Sequence, residues 1–490
     1  MQKIILLPLV MCSPLVIIAG SPSRLFADDT VDLNATLVSE FIQDNCRKCH
    51  GADMPKGDLR LDNISHQISK AADVQRWQAL FYAIQSGEMP PEDAPQPSQE
   101  DRKAIAAHLQ STLSRARLKF GPGYQYKASD IEISAASADE PNVEIFSQQS
   151  IQAAAKYLDD GAVAWTRSRK CVTCHTNGTY MAERPSLTTW FGNPSEEILK
   201  TFQKGIPAKV VKKPEGEKKG KPRPAYKLIW QTLGLAQWDK HVTNETSEVT
   251  DRALHAMFMQ QRDDGSWMHY TGVRELPHIS TDFDLAVRAA WAVSAAPGWL
   301  ENLNDEEILK RVDRMKAYLH KHDPRNNYEL ALKLQVANFM PDAVSVEHRN
   351  KAIAMLRDKQ QADGGWSTRG MSTIDNWANW DIQKDRQSLN MLRAETDTEK
   401  AASDPYMTGF AIVLLRDSGV ETSDPQIQRG IAWLKTNQRQ SGRWWMKSMF
   451  KDTYHFSTYM GTAQALKALA LCGEIEDAAT AADQRKTSSD

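Results

Sequence analysis

Apolar residues recur at helical spacing along most of this chain, with little strand signal. Early in the chain the spacing predicts helices over residues 37–45, 75–87 and 101–118. The predicted inward faces of the second and third helices carry Trp77, Leu80, Phe81, Ile84, Ile105, Leu109, Leu113 and Leu118. The chain is therefore predicted to be all-α.

From about residue 247 the helical pattern repeats in a fixed order: a helix, a glutamine, a turn through glycine, and a tryptophan. The three stretches with this order are residues 260–267, 360–366 and 437–444. Further helical segments are predicted over residues 285–295, 328–339, 408–415 and 462–471. Repeated helix pairs bury their apolar faces against their neighbours, which predicts a solenoid or a closed ring.

Two short stretches, residues 46–50 and 171–175, share the spacing Cys-x-x-Cys-His. This spacing is the attachment signature of c-type haem, in which two thiols bond the haem vinyl groups and the imidazole ligates iron. The residues expected to hold haem are Cys46, Cys49 and His50 in the first stretch, and Cys171, Cys174 and His175 in the second. The alternative for each pair is a disulfide or part of a zinc site, although no second Cys/His pair lies nearby at zinc-finger spacing.

Met89 is a candidate second axial ligand for the first iron. It lies 39 residues after His50, on a loop stiffened by two prolines. A methionine ligand raises the reduction potential relative to a bis-histidine iron, and core filling is the alternative role. No Met or His with a similar loop setting follows His175, because Met181 is only six residues on. The second iron is expected to be five-coordinate or to take a ligand from far along the chain.

The composition limits the number of domains and the classes of partner that we expect. With 490 residues and 41% hydrophobic residues, it is predicted to be soluble with two or three domains. A net charge of -2 gives no basic excess that would suggest a nucleic-acid partner.

Residues 1–27 resemble an export signal, with Lys3 before an apolar run over residues 4–19. An uncleaved membrane anchor is the less favoured alternative, because two prolines interrupt a run that is already short. We expect an exported, periplasmic or extracytoplasmic protein with no integral membrane span once the signal is removed.

Several separated motifs in the first domain resemble the planctomycete-type cytochrome c domain. They are the first Cys-x-x-Cys-His stretch with Gly51, residues 56–62, residues 87–91, and the following Pro97, Ser98 and Glu100. The resemblance covers residues 36–115. It implies an all-helical cytochrome c fold in which His50 and Met89 ligate the iron of heme c.

The three glutamine-tryptophan stretches resemble those of the squalene-hopene cyclase and prenyltransferase superfamily, whose fold is an α/α toroid. Residues 403–409 and 456–458 agree with this resemblance, which covers residues 146–475. In that superfamily the Gln side chain and the Trp ring tie the end of one helix to the start of another, and glycine allows the turn. The resemblance is specific for fold and implies less about activity.

Cyclases of that superfamily protonate their substrate with an Asp-x-Asp-Asp motif. Here Asp282 and Asp284 are followed by Leu285 in place of the last Asp. They are weak catalytic candidates, and helix capping is the favoured alternative. Prenyltransferase zinc chemistry is not supported either, because Cys472 is the toroid's only cysteine outside the haem-type stretch. We therefore assign no catalytic residue.

These features predict a signal over residues 1–27, a cytochrome c domain over 28–120, a linker over 121–145, a toroid over 146–475 and a disordered tail over 476–490. The favoured function is an exported dihaem c-type cytochrome that passes electrons to an unidentified redox partner protein, with the toroid as scaffold. The alternative is a haem-dependent oxidoreductase acting on a terpenoid, lipid or glycan in the toroid cavity. A third interpretation makes the toroid a protein-docking surface.

Overall fold

The structure is a computed structural model in which helices account for most of the described chain, confirming the predicted all-α class. Two antiparallel pairs of short strands are the exceptions within the described residues. The described residues are 30–33, 35–52, 60–85, 89–91, 94–120, 125–128, 131–134, 137–169, 172–208, 225–269, 276, 281–373, 376–377, 401–448 and 455–476. The predicted signal, the 56–59 part of the first resemblance, Cys171 and residues 477–490 of the tail lie outside them.

Four helices and one strand pair form the first region. Its elements are β1 (Val31–Asp32), α1 (Ala35–Asn45), α2 (Arg47–His50), β2 (Gln67–Ile68), α3 (Ala71–Gln85) and α4 (Gln99–Phe120). Strand β1 pairs with β2, and α3 packs against α4. Buried apolar side chains from Leu33 to Ala116 form one cluster, which includes Cys46.

The amphipathic faces predicted for this region are confirmed. Trp77, Phe81 and Ile84 on α3 are at most 2% exposed. Ile105, Leu109 and Leu113 on α4 are equally buried, whereas the side chain of Leu118 lies outside the described set. The Trp77 indole N–H also donates to the Ser65 carbonyl at 2.9 Å, so this ring secures the loop before α3 as well as filling the core.

A second cluster of buried apolar side chains extends from Ile133 to Ile475. The first elements of this region are the hairpin β3 (Gln125–Ala128) and β4 (Ile131–Ser134), α5 (Gln148–Arg169), a π-helix (Cys174–Gly178), α6 (Thr179–Glu183), α7 (Thr188–Phe191), α8 (Glu196–Gln203) and α9 (Tyr226–Trp238). The hairpin lies within the segment predicted as a linker and contacts α5. That segment therefore carries regular structure.

The remainder of the second region continues in helices. They are α10 (Glu248–Phe258), α11 (Asp282–Ala295), α12 (Glu306–Lys321), α13 (Asn327–Phe339), α14 (Val346–Asp358), α15 (Pro405–Asp417), α16 (Pro425–Asn437) and α17 (His455–Leu471). Every helical segment predicted between residues 285 and 471 coincides with one of these. Helices α6, α7, α8, α9 and α12 were not predicted.

The three glutamine-tryptophan stretches adopt one geometry. In each, the Gln amide nitrogen donates to the Gly carbonyl four residues later at 2.8–3.1 Å. The same nitrogen donates to a carbonyl on another helix at 2.7–2.9 Å. The Trp indole N–H donates to a carbonyl ten residues earlier at 2.7–2.8 Å. The residues are Gln261, Gly265 and Trp267; Gln360, Gly364 and Trp366; and Gln438, Gly442 and Trp444.

The glycine in each turn is required by conformation and by space. All three have φ between 86° and 93°, a region that disfavours other residues. A Cβ on Gly265 would lie 2.2 Å from the Arg314 carbonyl oxygen, and the other two would meet their neighbouring helix at 2.7 Å. The turns therefore sit directly against α12, α16 and α5 in turn.

The third turn joins the end of this region to its beginning. Gln438 donates to the Ser150 carbonyl on α5 at 2.9 Å, and the Ser150 hydroxyl donates back to Gln438 at 2.6 Å. On α17, the Tyr459 hydroxyl donates to the Leu158 carbonyl at 2.5 Å. The first and last long helices of the second region are therefore in contact.

No helix in the described part of the chain combines the length and the apolar character needed to cross a membrane.

Candidate haem-attachment sites

The first Cys-x-x-Cys-His stretch forms a short helix directly after α1. Cys46 donates its N–H to the Ile42 carbonyl at 2.9 Å, which continues the turn of α1. The carbonyl of Cys46 then accepts from the N–H groups of Cys49 at 3.1 Å and His50 at 2.9 Å. This helical turn places both thiols and the imidazole close along one short segment.

The two thiols of this stretch differ in environment. Cys46 is 8% exposed within the core of the first region, and burial raises the pKa of its thiol to about 11. Cys49 is half-buried, and the two residues are not joined as a disulfide. Both sulfurs are thus available for thioether bonds, one from the core and one from the edge of the domain.

The loop that carries Met89 is tied to both neighbouring helices. The Met89 N–H donates to the Ala83 carbonyl on α3 at 2.9 Å. Arg102 on α4 donates one guanidinium nitrogen to the carbonyls of Met89 at 2.8 Å and Ile84 at 2.7 Å, and another to the Gln96 side chain at 2.9 Å. The backbone of Met89 is therefore held in place, as an iron ligand would need. Ligation by His50 and Met89 stays a prediction.

The second stretch has a different backbone. Helix α5 ends at Arg169, and Cys174 opens a π-helix in which the Gly178 N–H bonds to the Thr173 carbonyl at 2.8 Å. A Cβ on Gly178 would lie 2.2 Å from that oxygen and 3.0 Å from Trp230, so only glycine fits. Single π-turns recur at functional sites.

Asn177 fastens this turn to the preceding helix. It is fully buried, its amide oxygen accepts from the Thr173 N–H at 2.9 Å, and its amide nitrogen donates to the Thr166 hydroxyl on α5 at 3.1 Å. The Thr179 hydroxyl also donates to the Cys174 carbonyl at 2.6 Å. The turn is thereby held from both of its ends.

Aromatic rings enclose His175. The Phe456 ring on α17 stacks on the imidazole with centroids 3.8 Å apart, and Trp165 on α5 meets it edge-on at 4.9 Å. Its Nδ1 pairs with the Thr176 hydroxyl at 2.8 Å. Metal-ligating histidines bind through one ring nitrogen and hydrogen-bond through the other, so this pairing suits ligation through Nε2.

Tyr226, the first residue of α9, contacts Cys174. Its phenol oxygen accepts from the Cys174 N–H at 2.9 Å. Burial raises the pKa of the Cys174 thiol, an effect that the hydroxyl of Tyr226 partly offsets. Burial also raises the pKa of Tyr226 well above its ordinary value, so the phenol stays protonated at neutral pH.

The favoured interpretation of Asp282 and Asp284 as helix caps is wrong. The cap of α11 is Thr281, whose hydroxyl accepts from the Asp284 N–H at 3.0 Å. Asp282 instead accepts from the N–H and the ring Nδ1 of His269 at 3.1 and 2.6 Å, and from Arg262 at 2.6 Å. Burial opposes ionisation of Asp282, but these contacts prevail and hold its pKa below the ordinary value. Asp282 is therefore ionised at neutral pH, unlike a strong general acid.

Asp284 forms a buried ion pair with Arg288 one turn further along α11, at 2.9 and 3.1 Å. The guanidinium carbon of Arg288 lies 4.2 Å from the centroid of the Trp230 ring. The pair is close enough to Cys174 to influence its pKa. Asp284 therefore belongs to the surroundings of the second stretch.

Sequence analysis did not predict several residues that shape the two sites. Arg102 and Tyr226 carry no motif, and each reaches its site from a helix distant in sequence. Phe456 was noted only as part of a family resemblance. The one usable signal was that each begins or lies near the start of a helix, which is too common to single out a residue.

The donor set at the first stretch fits haem c, and the described residues of the second stretch supply one of its thiols and an imidazole. At the first, one helical turn supplies two thiols and an imidazole, and a tied loop supplies a thioether. At the second, Cys174 and His175 are held on a rigid turn with the imidazole already oriented by Nδ1, while Cys171 lies outside the described residues. When bound, haem c supplies one-electron oxidation and reduction at its iron.

Comparison with known proteins identifies the first site. A family model described as Planctomycete cytochrome C matches residues 46–93, which contain the first Cys-x-x-Cys-His stretch and Met89. No curated protein matches the chain. The matched segment is a cytochrome c domain, which implies covalent haem and electron transfer.

Proposed function

We propose that this protein is an exported c-type cytochrome that carries two covalently attached haems and transfers electrons. The single observation that carries the proposal is the Planctomycete cytochrome C match, which begins at the first attachment cysteine and extends past Met89. In this proposal Cys46 and Cys49 attach the first haem, while His50 and Met89 ligate its iron.

The second haem is attached through Cys171 and Cys174 and ligated by His175. The repeated Cys-x-x-Cys-His spacing supports this assignment, as do the Nδ1 contact of His175 and the aromatic rings on either side of it. The half-buried Cys174 and His175 lie on a turn that contacts of Asn177 and Tyr226 hold in place, so little of the backbone need rearrange to accept the group, which lowers the cost of binding.

The second region serves as an α/α toroid that holds this haem. Three identical glutamine-tryptophan turns and the contacts between α5 and α17 support a closed ring of helix pairs. The attachment turn lies between α5 and α6 and contacts α9 and α17, so four helices share in fixing it. A rigid surround suits an electron-transfer site, because little then reorganises when the iron changes charge.

The buried charges near the second site bear on the alternative of a ligand in the toroid. They are the Asp284–Arg288 pair and the Glu183–Lys467 pair, the latter at 2.7 Å. Such groups are costly to desolvate against a hydrocarbon. They favour a scaffold, or an oxidoreductase acting on a polar ligand such as a glycan, over a site for a terpenoid or lipid.

Export follows from the signal-like residues 1–27 and from the chemistry of attachment. Haem c is expected to be attached outside the cytoplasm in bacterial chains, where the thiols meet an oxidising compartment. The redox partner is proposed to be a protein that docks at the edge of the first region.

The spectrum of the ferrous protein with carbon monoxide tests the proposal. The chain is produced in a host that matures c-type haem, and haem per chain is measured as the pyridine haemochrome. Two haems without a carbon monoxide shift support a pure electron carrier. Two haems with one shifted spectrum favour the oxidoreductase, and one haem contradicts the dihaem proposal.

A further inference from the structure

Tyr226 holds the backbone of Cys174. Its phenol oxygen accepts from the Cys174 backbone N–H at 2.9 Å. The two residues are 52 positions apart, so the fold and not local sequence creates this contact. One side chain thereby restrains the backbone of an attachment cysteine.

The phenol is itself fixed by its helix. Tyr226 follows Ala225, whose N–H bonds to the Met268 carbonyl at 3.2 Å and anchors the start of α9. One turn later, Trp230 packs against the π-helix at Gly178. Helix α9 therefore contacts the attachment turn at both Cys174 and Gly178, and Tyr226 cannot shift without moving that packing.

We propose that Tyr226 is the positioning residue for covalent attachment of haem at Cys174, an inference that rests on the dihaem function proposed above. Attachment breaks the Cys174 S–H bond and forms a bond from Sγ to the vinyl carbon next to the haem ring. The hydrogen goes to the terminal vinyl carbon, so the addition consumes no oxidant or reductant. It requires the sulfur to lie at one position beside the vinyl group, and the phenol contact fixes the backbone from which the Cys174 side chain extends.

Tyr226→Phe tests the proposal, because it keeps the ring and removes the hydroxyl. The ratio of doubly to singly attached haem at the second site is expected to fall about fivefold, the effect of one neutral hydrogen bond. Peptide mass mapping measures this ratio as modified against free Cys174. The pyridine haemochrome provides a second readout, because a haem that keeps one vinyl group absorbs at longer wavelength.

Tyr328→Phe is the matched control. It removes another buried phenol hydroxyl, which pairs with Tyr406 at 3.1 Å. This variant is expected to leave attachment at Cys174 unchanged. An equal loss of attachment in both variants would overturn the proposal, because the effect would then be general destabilisation.

A pair of unnatural residues at position 226 separates folding from positioning. 3-Fluorotyrosine keeps the phenol oxygen that accepts from Cys174, whereas 4-methylphenylalanine fills the same space without an acceptor. The first is expected to attach haem at Cys174 more completely than the second, also where the phenylalanine variant fails to fold. Equal attachment in the two overturns the role of Tyr226. A wild-type chain with no haem on the second stretch overturns the proposed function instead.

Discussion

The two Cys-x-x-Cys-His stretches share their spacing and differ in nearly everything around it. The first continues a helical turn after α1 in a small helical region. The second opens a π-helix that packs against α9 and α17 in the larger region. The two stretches therefore share a sequence pattern, while the surrounding fold sets a different backbone for each.

The side chains around the candidate iron ligands also differ between the two stretches. Near the first stretch, Arg102 and Ala83 hold the loop that carries a methionine. At the second, Phe456 and Trp165 enclose the histidine with aromatic rings. We expect the two haems to respond differently to the same kind of change.

Loss of the thiols at one stretch has the largest expected effect. Cys46→Ala with Cys49→Ala removes the first haem, and Cys171→Ala with Cys174→Ala removes the second, because both thioether bonds are lost. The pyridine haemochrome should fall from two haems per chain to one in each case. Cys472→Ala, which changes a buried cysteine outside both stretches, is the control and keeps two haems. Loss of both haems from either double variant would contradict independent sites.

Met89→Ala should change the midpoint potential of one haem and not that of the other. Loss of the thioether ligand should lower one midpoint potential by on the order of 100 mV, within the range of about 0.8 V over which axial ligands act. The other potential should not move. Spectroelectrochemical titration measures both, and Met355→Ala, which changes a partly buried methionine on α14, is the control. Unchanged potentials in Met89→Ala would remove Met89 from the ligand set.

Glu329→Gln should destabilise the second region and not the first, by an amount that depends on pH. Burial opposes ionisation of Glu329, but contacts with His322 and Arg325 prevail and lower its pKa to about 2. Because its pKa is lower in the folded state than in the unfolded chain, the stabilisation is present above about pH 4.5 and lost as the pH falls through 2. The variant should lose about 3 kcal/mol at pH 7.

Urea unfolding at pH 7 and pH 3 measures this loss, with far-UV circular dichroism reporting the helices. The difference between variant and wild type should shrink at pH 3. The haem signal of the first region should be unaffected at either pH. An equal difference at both pH values would show that the Glu329 charge does not contribute.

Gln438→Ala has the smallest expected effect on stability. It tests whether the contact between the third turn and α5 stabilises the second site. Gln438 joins the third turn to α5, the helix that leads into the second stretch. Its loss leaves buried carbonyls unpaired and should cost about 2 kcal/mol. The matched variant Gln360→Ala cuts the equivalent contact to α16.

Both variants should lower the melting temperature, but only Gln438→Ala should make the second haem signal melt before the bulk helices. Thermal scans that record the Soret band and circular dichroism together provide this comparison. Identical scans for the two variants would mean that α5 does not couple ring closure to the second site.

Sequence patterns predicted the elements whose contacts are local. The buried face of α3 follows from the spacing of Trp77, Phe81 and Ile84, and the glutamine-tryptophan turns from a repeated order of residues. The π-helix was not predicted, because it depends on packing against Trp230. Nor was Tyr226, whose contact with the second stretch spans 52 residues.

The error at α11 has a physical cause. An aspartate before an apolar run is a good helix cap, and so is a threonine. Thr281 takes the position, which leaves Asp282 for an ion pair with Arg262, brought close by the fold, and Asp284 for one with Arg288 on the next turn of α11. Propensity could identify the start of the helix but not which neighbour would cap it.

The count of haems on the wild-type chain tests the central claim most directly. Intact mass spectrometry of the mature protein, purified from a host that attaches haem c, measures it without assumptions about spectra. The account predicts the mass of the chain plus two haems, with peptides spanning residues 46–50 and 171–175 each carrying one. A chain with one haem, on the first stretch only, would contradict it.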